Sequence, residues 1–454
     1  MRKYFGTDGI RRIANTELSP ELVYKVAKAG AYVLAKHSEH TPTILIGRDT
    51  RISGTLIESA MTAGFLSYGA NVKILGVMPT PAVAYLTKKM KADASVVISA
   101  SHNTYEFNGV KYFSNKGMKI PDELEEEIEE IMDSGKLDNF SAVNEKIGVS
   151  EIRTDLLDEY VYFFRKNFEE ALEDLDKSDF VVAIDTANGA TSVVAEKVFT
   201  ALGIKHYILN NTPNGVNIND NCGSTHLNFL KKYVVENNCN LGIAYDGDGD
   251  RCLAVDENGN EIDGDKLLAV ISNYMKEKGT LKKDTLVATV MSNLGLNKYA
   301  EVNEINFEQT KVGDRYVLEK MLKEGYNLGG EQSGHIIMLD YNPTGDGILT
   351  SIMLIKILLE KNVSASKLCD IIQIYPQVLV NAKVDSNKKY DYEKYEEIKN
   401  EISKLEEEFS GNGRVLIRPS GTEPLVRVMI EGKDKNYIKT KAENLVKLIE
   451  KKLN

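Results

Sequence analysis

Short apolar runs rich in β-branched residues alternate with stretches of helical period along most of this chain. Thr43 to Gly47 predicts a strand, Ser53 predicts the cap of a helix carrying Leu56, Ile57, Ala60 and Gly64, and Asn71 to Leu75 predicts the return strand. Phe180 to Ile184 repeats the pattern. It leads through Asp185-Thr186-Ala187-Asn188-Gly189 into a helix ending near Gly203 and then a strand from Lys205 to Leu209. A looser version runs from Thr285 to Val290, through a helix near Leu294 to Ala300, to a last run from Ile305 to Val312. Each stretch has about the length of a βαβ unit, whose right-handed crossover favours a mainly parallel sheet. The pattern predicts three similar mixed α/β domains.

Other segments complete the picture. Ser19 as N-cap and Pro20 in the first turn predict an opening helix. Asp122 to Met132 predicts an acidic amphipathic helix with Leu124, Ile128 and Met132 on one face and its carboxylates on a solvated one. Asn139 to Ser150 is polar and aperiodic and reads as a linker, after which Tyr160 to Leu172 resumes a helical period. From about Ile371 the pattern changes to a strand (Val378 to Val384), a helix (Tyr392 to Phe409), two strands (Arg414 to Ile417, Leu425 to Glu431) and a helix (Asn436 to Leu453), a smaller α+β domain. The expected boundaries are 1–150, 151–254, 255–370 and 371–454.

Composition narrows the class of partner. A chain of 454 residues, 42% hydrophobic and 27% charged, can bury several cores, and no apolar run is long enough to span a membrane. Arg2 and Lys3 are followed by Gly6, Thr7 and Asp8 instead of an apolar stretch, so no signal peptide is expected and the cytoplasm is the default location. With 56 Lys+Arg against 67 Asp+Glu, the net charge of −11 disfavours nucleic acid and anionic membrane. An anionic ligand then needs a local cationic cluster. Cys222, Cys239, Cys252 and Cys369 form no CxxC pair and read as reduced packing residues.

The strongest chemical signal is Asp246-Gly247-Asp248-Gly249-Asp250-Arg251, directly after the apolar run Leu241 to Tyr245. Carboxylates at alternate positions need a cation between them, and hard oxygen donors favour Mg²⁺. An EF-hand is the nearest rival, because Glu257 falls at loop position twelve, but Arg251 stands at position six, where that loop needs Gly. An acidic turn is the blander alternative.

Three weaker signals accompany it. Ser101 and His102, in Ser99-Ala100-Ser101-His102-Asn103, follow the buried-looking run Val96 to Ala100, and the end of a strand is where an α/β sheet presents ligand-binding groups. Ser101 is a candidate nucleophile or phosphate carrier, although a capping serine is the commoner fate. Lys111 is a further candidate that an ordinary surface lysine would match equally well. The Gly-bracketed Gly329-Gly330-Glu331-Gln332-Ser333-Gly334-His335 offers a carboxylate, an amide, a hydroxyl and an imidazole, groups that bind sugar hydroxyls. Arg418-Pro419-Ser420-Gly421-Thr422-Glu423-Pro424 with Arg427 has the makings of a phosphate cradle, or of a hairpin turn with incidental hydroxyls. The common nucleotide-binding and hydrolase motifs are missing from the sequence.

In this order and spacing, the Ser101, Asp246–Arg251, Glu331–His335 and Arg418–Thr422 loops resemble those of the α-D-phosphohexomutases, over nearly the whole chain. Tyr4 to Arg11, Thr310 to Arg315, Gly330 to His335 and Arg418 to Arg427 are similar to members acting on glucosamine phosphates. The resemblance implies four domains around a central cleft, the last a phosphate-binding lid. It implies conversion of glucosamine 6-phosphate to glucosamine 1-phosphate, on the way to UDP-N-acetylglucosamine. Ser101, as phosphoserine, would transfer its phosphoryl group through a glucosamine 1,6-bisphosphate intermediate, with that compound or glucose 1,6-bisphosphate as activator. Mg²⁺ would be held by Asp246, Asp248, Asp250 and the phosphoserine oxygen. Arg11 and Arg251 would support the transferring phosphate beside His102, while Lys111 and His335 handle the proton of the attacking hydroxyl. Glu331, Gln332 and Ser333 would bind the sugar, and Arg418, Ser420, Gly421, Thr422 and Arg427 the phosphate that does not react.

The family usually has Pro where this chain has Thr104 and Gly where it has Arg12, which puts bulk beside Arg11. A homodimer stays open. The rival readings are a phosphomannomutase or phosphoglucomutase, a metal-dependent sugar phosphatase that loses the Ser101 phosphate to water, and a silent phosphosugar sensor.

Overall fold

The computed structural model describes all residues except Met1, Arg2, Thr7, His37, Asp138, Asn139, Gly421 and Thr422. Two compact units emerge: Met1–Met291 with Ile305–Ile371, and Ser292–Glu304 with Ile372–Asn454.

The first unit holds three sheets. One contains β1 (Ile10–Ile13), β2 (Thr43–Arg48), β3 (Asn71–Val77), β4 (Ala94–Ile98), β5 (Phe107–Ser114) and β6 (Ser150–Ile152), in the order β1-β5-β4-β2-β3-β6. The next has β7 (Val181–Asp185), β8 (Lys205–Leu209), β9 (Leu241–Tyr245), β10 (Cys252–Asp256) and β11 (Glu261–Ile262), ordered β11-β10-β9-β7-β8. The third has β12 (Thr285–Thr289), β13 (Asn306–Thr310), β14 (Leu328–Gly330) and β15 (Ile336–Met338), ordered β13-β12-β14-β15.

The three sheets share one wiring. A first strand pairs in parallel with the next two in sequence, and the last of these turns back antiparallel: β2 with β3 and β4, then β5; β7 with β8 and β9, then β10; β12 with β13 and β14, then β15. The βαβ reading of the sequence captured the first two strands of each repeat. It missed that the third and fourth strands also correspond, so that the Ser101, Asp246 and Glu331 loops occupy the same connection of three repeats.

Local chemistry explains where these elements begin. Strands β4, β9 and β12 are buried along their whole length and carry no charged residue, as strands covered on both faces do. Ser19 caps the helix Pro20–Ala35 by accepting a hydrogen bond from the Leu22 N–H, as its sequence predicts. Ser53 precedes the helix Gly54–Tyr68 but makes no side-chain cap. Its hydroxyl instead accepts from the buried amide of Asn108, 2.9 Å away.

The acidic helix Asp122–Asp133 also departs from expectation: Glu125 and Glu129 are buried. Glu129 accepts hydrogen bonds from the backbone N–H groups of Lys3, Tyr4 and Phe5 at 2.6–2.7 Å, tying down the segment that leads to Asp8. Ser150–Ile152, at the end of the expected linker, adds an edge strand parallel to β3.

In the second unit β16 (Gln377–Lys383), β17 (Gly413–Pro419) and β18 (Leu425–Gly432) form an antiparallel sheet ordered β16-β18-β17. Ile398, Leu405, Val428, Ile430, Ile438, Leu445 and Ile449 fill the core between this sheet and the helices Glu396–Phe409 and Lys435–Leu453. The helix Leu294–Val302, expected as an ordinary crossover between β12 and β13, clusters here. Glu431 accepts from the Leu294 N–H at 3.1 Å and from Arg414 Nε at 2.9 Å, and Arg414 also donates to the Ser292 carbonyl. All four cysteines are free and buried. Among the described residues no helix is long and apolar enough to cross a membrane.

Candidate active site

Ser101 stands just past the end of β4 with φ 51°, the left-handed region that a residue with a Cβ rarely adopts. Its N–H donates to Ser99 Oγ at 2.9 Å, and its hydroxyl donates to Asp246 Oδ2 at 2.6 Å. The hydroxyl therefore points at the acidic loop between β9 and β10. That loop can come so close because Gly247 has no Cβ, which would lie 2.6 Å from the Ser101 carbonyl oxygen.

Asp246, Asp248 and Asp250 are buried, and one ligand atom from each lies within 4.8 Å of the others. Burial, together with the charges of Asp250 and Asp248, holds the Asp246 carboxyl well above the usual carboxylate range. Burial would raise Asp250 too, but His335 and Lys111 hold it far below that range. Asp248 Oδ2 accepts from Thr80 Oγ1 at 2.6 Å and Lys111 Nζ at 3.0 Å. The other oxygens, Asp248 Oδ1 and Asp250 Oδ1, are buried without a hydrogen-bond partner. Two unsatisfied buried carboxylate oxygens beside Asp246 and a serine hydroxyl are a donor set that fits a hard divalent cation. The antiparallel β9–β10 hairpin and the placing of Arg251 agree with the reading against an EF-hand.

Around this loop six titratable side chains close a ring in which three carboxylates alternate with two lysines and a histidine. Asp8 faces Lys111 at 3.2 Å, Lys111 faces Asp250 at 3.9 Å, and Asp250 faces His335 Nδ1 at 3.5 Å. His335 Nε2 lies 3.4 Å from Asp314, Asp314 lies 2.6 Å from Lys119, and Lys119 returns to Asp8 at 2.5 Å. Burial disfavours the Lys111 ammonium, but Asp248 and Asp8 outweigh it and raise its pKa above the ordinary lysine value. Burial likewise opposes a charged His335, and Asp250 and Asp314 overcome it, raising its pKa. The Gly345 N–H donates to Nε2 at 3.0 Å, which places the proton of the neutral ring on Nδ1, toward Asp250.

Arg11 donates to Asp8 at 2.7 Å and to Asn103 Oδ1 at 2.9 Å. The bulk expected to disturb it points elsewhere: Arg12 donates to the Lys3 carbonyl and lies over the Tyr4 ring, because neighbouring residues of β1 face opposite ways. His102 Nδ1 is buried without a partner, and burial, followed by the charges of Arg251 and Arg11, lowers its pKa to about 4. The imidazole is neutral at pH 7. Arg251 donates its backbone N–H to Asp246 Oδ1 at 3.2 Å.

The third loop joins β14 to β15. Gly334 has φ 90°, and a Cβ there would sit 2.2 Å from the Cys252 carbonyl oxygen, so this glycine seats the loop against β10. Glu331 accepts from the Gly313 N–H at 3.1 Å, and Ser333 Oγ lies 3.5 Å from its other oxygen. Gln332 is turned away: its amide donates to Asp263, the N-cap of the helix Gly264–Glu277, at 3.2 Å. The Gln332 amide thus ties the loop to that helix, while Glu331 and Ser333 stay on the side of Gly313.

In the second unit Arg418 and Arg427 are direct cross-strand partners on β17 and β18. Burial and the neighbouring Arg427 lower the pKa of Arg418, and among the described residues no hydrogen bond or ion pair engages its guanidinium. Arg427 lies 3.4 Å from Ser420 Oγ and pairs with Glu423 at 3.0 Å. Two like charges facing each other across a sheet favour an anion between them. Gly421 and Thr422 lie outside the described residues.

The structure thus brings Ser101, the three aspartates, Lys111, Arg11, Arg251 and His335 into one cluster. Asp8, Thr80, Lys119 and Asp314 join this cluster without a role expected from the sequence. Asp8 and Asp314 sit inside stretches noted for their likeness to a family, whereas Thr80 and Lys119 carry no local signal.

Four family models match in succession: phosphoglucomutase/phosphomannomutase alpha/beta/alpha domain I over residues 2–139, domain II over 158–259, domain III over 263–375, and the C-terminal domain over 379–448. The chain belongs to this family, the α-D-phosphohexomutases. Within the family it is 52% identical over 454 residues to the phosphoglucosamine mutase of Ruminiclostridium cellulolyticum, covering 100% of both chains. The fold matches a phosphoglucomutase/phosphomannomutase family protein from Burkholderia thailandensis with TM-score 0.81 at 20% identity, over 100% of this chain and 99% of that one. It also matches Aspergillus fumigatus N-acetylphosphoglucosamine mutase, solved with GlcNAc-6P and magnesium, with TM-score 0.73 at 16% identity, over 100% and 96% of the two chains.

Proposed function

We propose that this isomerase interconverts glucosamine 6-phosphate and glucosamine 1-phosphate through a phosphoserine at Ser101 and a 1,6-bisphosphate intermediate. One observation carries the reading: the Ser101 hydroxyl bonds to Asp246 in a buried triad of aspartates, beside Lys111 and His335. The hexosamine as substrate is supported by the name of the relative at 52% identity.

In the first half-reaction a sugar hydroxyl attacks the phosphorus on Ser101. A new O–P bond forms, the Oγ–P bond breaks, and the serine oxygen leaves as an alkoxide, stabilised by the surrounding cations until it is protonated. Arg11 and Arg251 hold the equatorial oxygens as negative charge moves between donor and acceptor. Asp246, Asp248 and Asp250, with an oxygen of the phosphoserine, would hold Mg²⁺, which when bound supplies charge neutralisation for the transferring group. Lys111 and His335 are the groups assigned to the proton of the attacking hydroxyl. Lys111 is held as an ammonium by Asp248 and Asp8, and both His335 nitrogens are engaged, so accepting that proton requires one of these contacts to open when substrate binds. Glu331 and Ser333 grip the sugar hydroxyls in either orientation, while Arg418, Ser420, Gly421, Thr422 and Arg427 hold the phosphate that does not react. Water exclusion protects the phosphoserine from hydrolysis.

The cytoplasm and the division at residues 150, 254 and 370 belong to the same reading, with β6 crossing the first of these boundaries. The purified protein, given Mg²⁺ and a hexose 1,6-bisphosphate, should convert glucosamine 6-phosphate faster than glucose 6-phosphate or mannose 6-phosphate. Preference for a neutral hexose would make it a phosphoglucomutase or phosphomannomutase instead. Inorganic phosphate as the main product would make it a phosphatase.

A further inference from the structure

Arg51 is among the largest fully buried side chains and touches none of the reacting groups assigned above. It follows β2 in Arg48-Asp49-Thr50-Arg51, and the end of β2 lies beside the end of β4, with the Asp49 N–H donating to the Ile98 carbonyl at 3.1 Å. A guanidinium has five N–H donors in a fixed fork. Here every one is used. Nε donates to Asp49 Oδ2 at 2.8 Å, Nη1 donates to the carbonyls of Thr104 and Phe107, and Nη2 donates to those of Ser101 and Asn103 at 2.9 and 2.8 Å. Four of the five acceptors are backbone carbonyl oxygens, three in the connection between β4 and β5 and the fourth on Phe107, the first residue of β5.

Further bonds converge on that connection. Asn219 Nδ2 donates to the Ser101 and Asn103 carbonyls at 2.9 and 2.8 Å. Asp49 Oδ2 also accepts from Ser99 Oγ at 2.6 Å, and Ser99 Oγ accepts the Ser101 N–H. A backbone in the left-handed region persists at a non-glycine residue only when its surroundings over-determine it. Thr104, standing where a proline would fix φ, has no such restraint of its own. The Arg51 fork supplies that restraint by holding the Thr104 carbonyl.

We propose that Arg51 is the positioning residue of the phosphoryl-carrying loop. It gathers the carbonyls of residues 101, 103, 104 and 107 and, through Asp49 and Ser99, fixes the Ser101 N–H, so that Oγ stays aimed at Asp246. The proposal rests on the reading of Ser101 as the phosphoryl carrier. A lysine keeps the charge and loses the fork, so Arg51→Lys separates geometry from charge.

The test compares parent and Arg51→Lys in steady-state turnover of glucosamine 6-phosphate, with Mg²⁺ and a hexose 1,6-bisphosphate, and in amide hydrogen exchange. Misplacing the carrier should lower kcat about a hundredfold and leave KM within about threefold, since the sugar and remote-phosphate groups are untouched. Exchange should quicken across residues 99–107 and stay unchanged in the β9–β10 hairpin. A folded Arg51→Lys protein with parental kcat, or with exchange raised everywhere alike, overturns the proposal. Should Arg51→Lys fail to fold, Ser99→Ala removes the other end of the same network by deleting one oxygen. Its kcat should fall about tenfold at constant KM, and parental kcat there overturns the proposal equally. If the parent itself converts no hexosamine phosphate, the proposed function fails first. Exchange then decides the clamp alone, and an unaltered 99–107 segment in Arg51→Lys refutes it.

Discussion

Asp246, Asp248 and Asp250 concentrate negative charge in a buried loop, and their mutual repulsion is felt most by Asp246, whose carboxyl is pushed up by burial and by its two neighbours. Asp246→Asn removes one charge while leaving an oxygen to accept the Ser101 hydroxyl. The metal-free variant should therefore melt no lower than the metal-free parent. In the parent, Mg²⁺ at about a hundred times its Kd should add ~2.7 kcal/mol of stability by mass action, and this increment should vanish in the variant. Calorimetry with and without Mg²⁺ decides the matter, and an undiminished increment in Asp246→Asn would remove that residue from the metal site. These acids were legible in the sequence because alternate Asp and Gly after an apolar strand have few other uses. Lys119 was not, because a lysine acquires its role only when the fold encloses it between Asp8 and Asp314.

Elements were read well where a single face or period defines them, and poorly where burial depends on a distant partner. The acidic helix Asp122–Asp133 looked solvated along its charged side, yet Glu129 gathers the N–H groups of residues 3, 4 and 5. Glu129→Ala should cost about 2–4 kcal/mol by leaving these donors without a charged acceptor, and should lower turnover by freeing the segment that carries Asp8. Denaturant unfolding that matched the parent would show that water replaces the carboxylate without penalty. Asp346 caps the helix Gly347–Lys361 through the Leu349 N–H at 3.0 Å and accepts from Tyr160 at 2.8 Å and Asn342 at 2.9 Å. Burial raises its pKa above 3.8, so from that pH up to its folded value the native state binds more protons than the unfolded one, and stability falls as pH rises. Asp346→Asn does not titrate. The stability advantage of parent over variant should shrink as pH rises from about 4 toward neutrality, and a constant or growing advantage would contradict the assignment.

At the scale of the whole molecule, the three repeats of one strand wiring explain how distant motifs come to share a site. Each repeat turns from its third strand into its antiparallel fourth through one connection, and the three connections carry Ser101, the aspartate triad and Glu331. The sequence disclosed the βαβ half of each repeat through its period. It hid the correspondence of the loops, because a hydroxyl, a carboxylate triad and a Gly-bracketed loop share no residue pattern. The second unit carries the facing Arg418 and Arg427, whose proposed task is to hold the phosphate that does not react. Arg418→Lys should accordingly reduce transfer to hexosamine phosphate about tenfold or more, while Ser101 still accepts phosphate from acetyl phosphate. Equal loss in both half-reactions, followed by rapid quench, would refute that division. The proposed reaction requires Ser101 to pass its phosphoryl group to the sugar. It is tested most directly by mixing enzyme carrying ³²P on Ser101 with glucosamine 6-phosphate in a single turnover. The label should leave the protein and appear in glucosamine 1,6-bisphosphate and then in glucosamine 1-phosphate. Label released as inorganic phosphate, or retained on the protein while the sugar is converted, would contradict it.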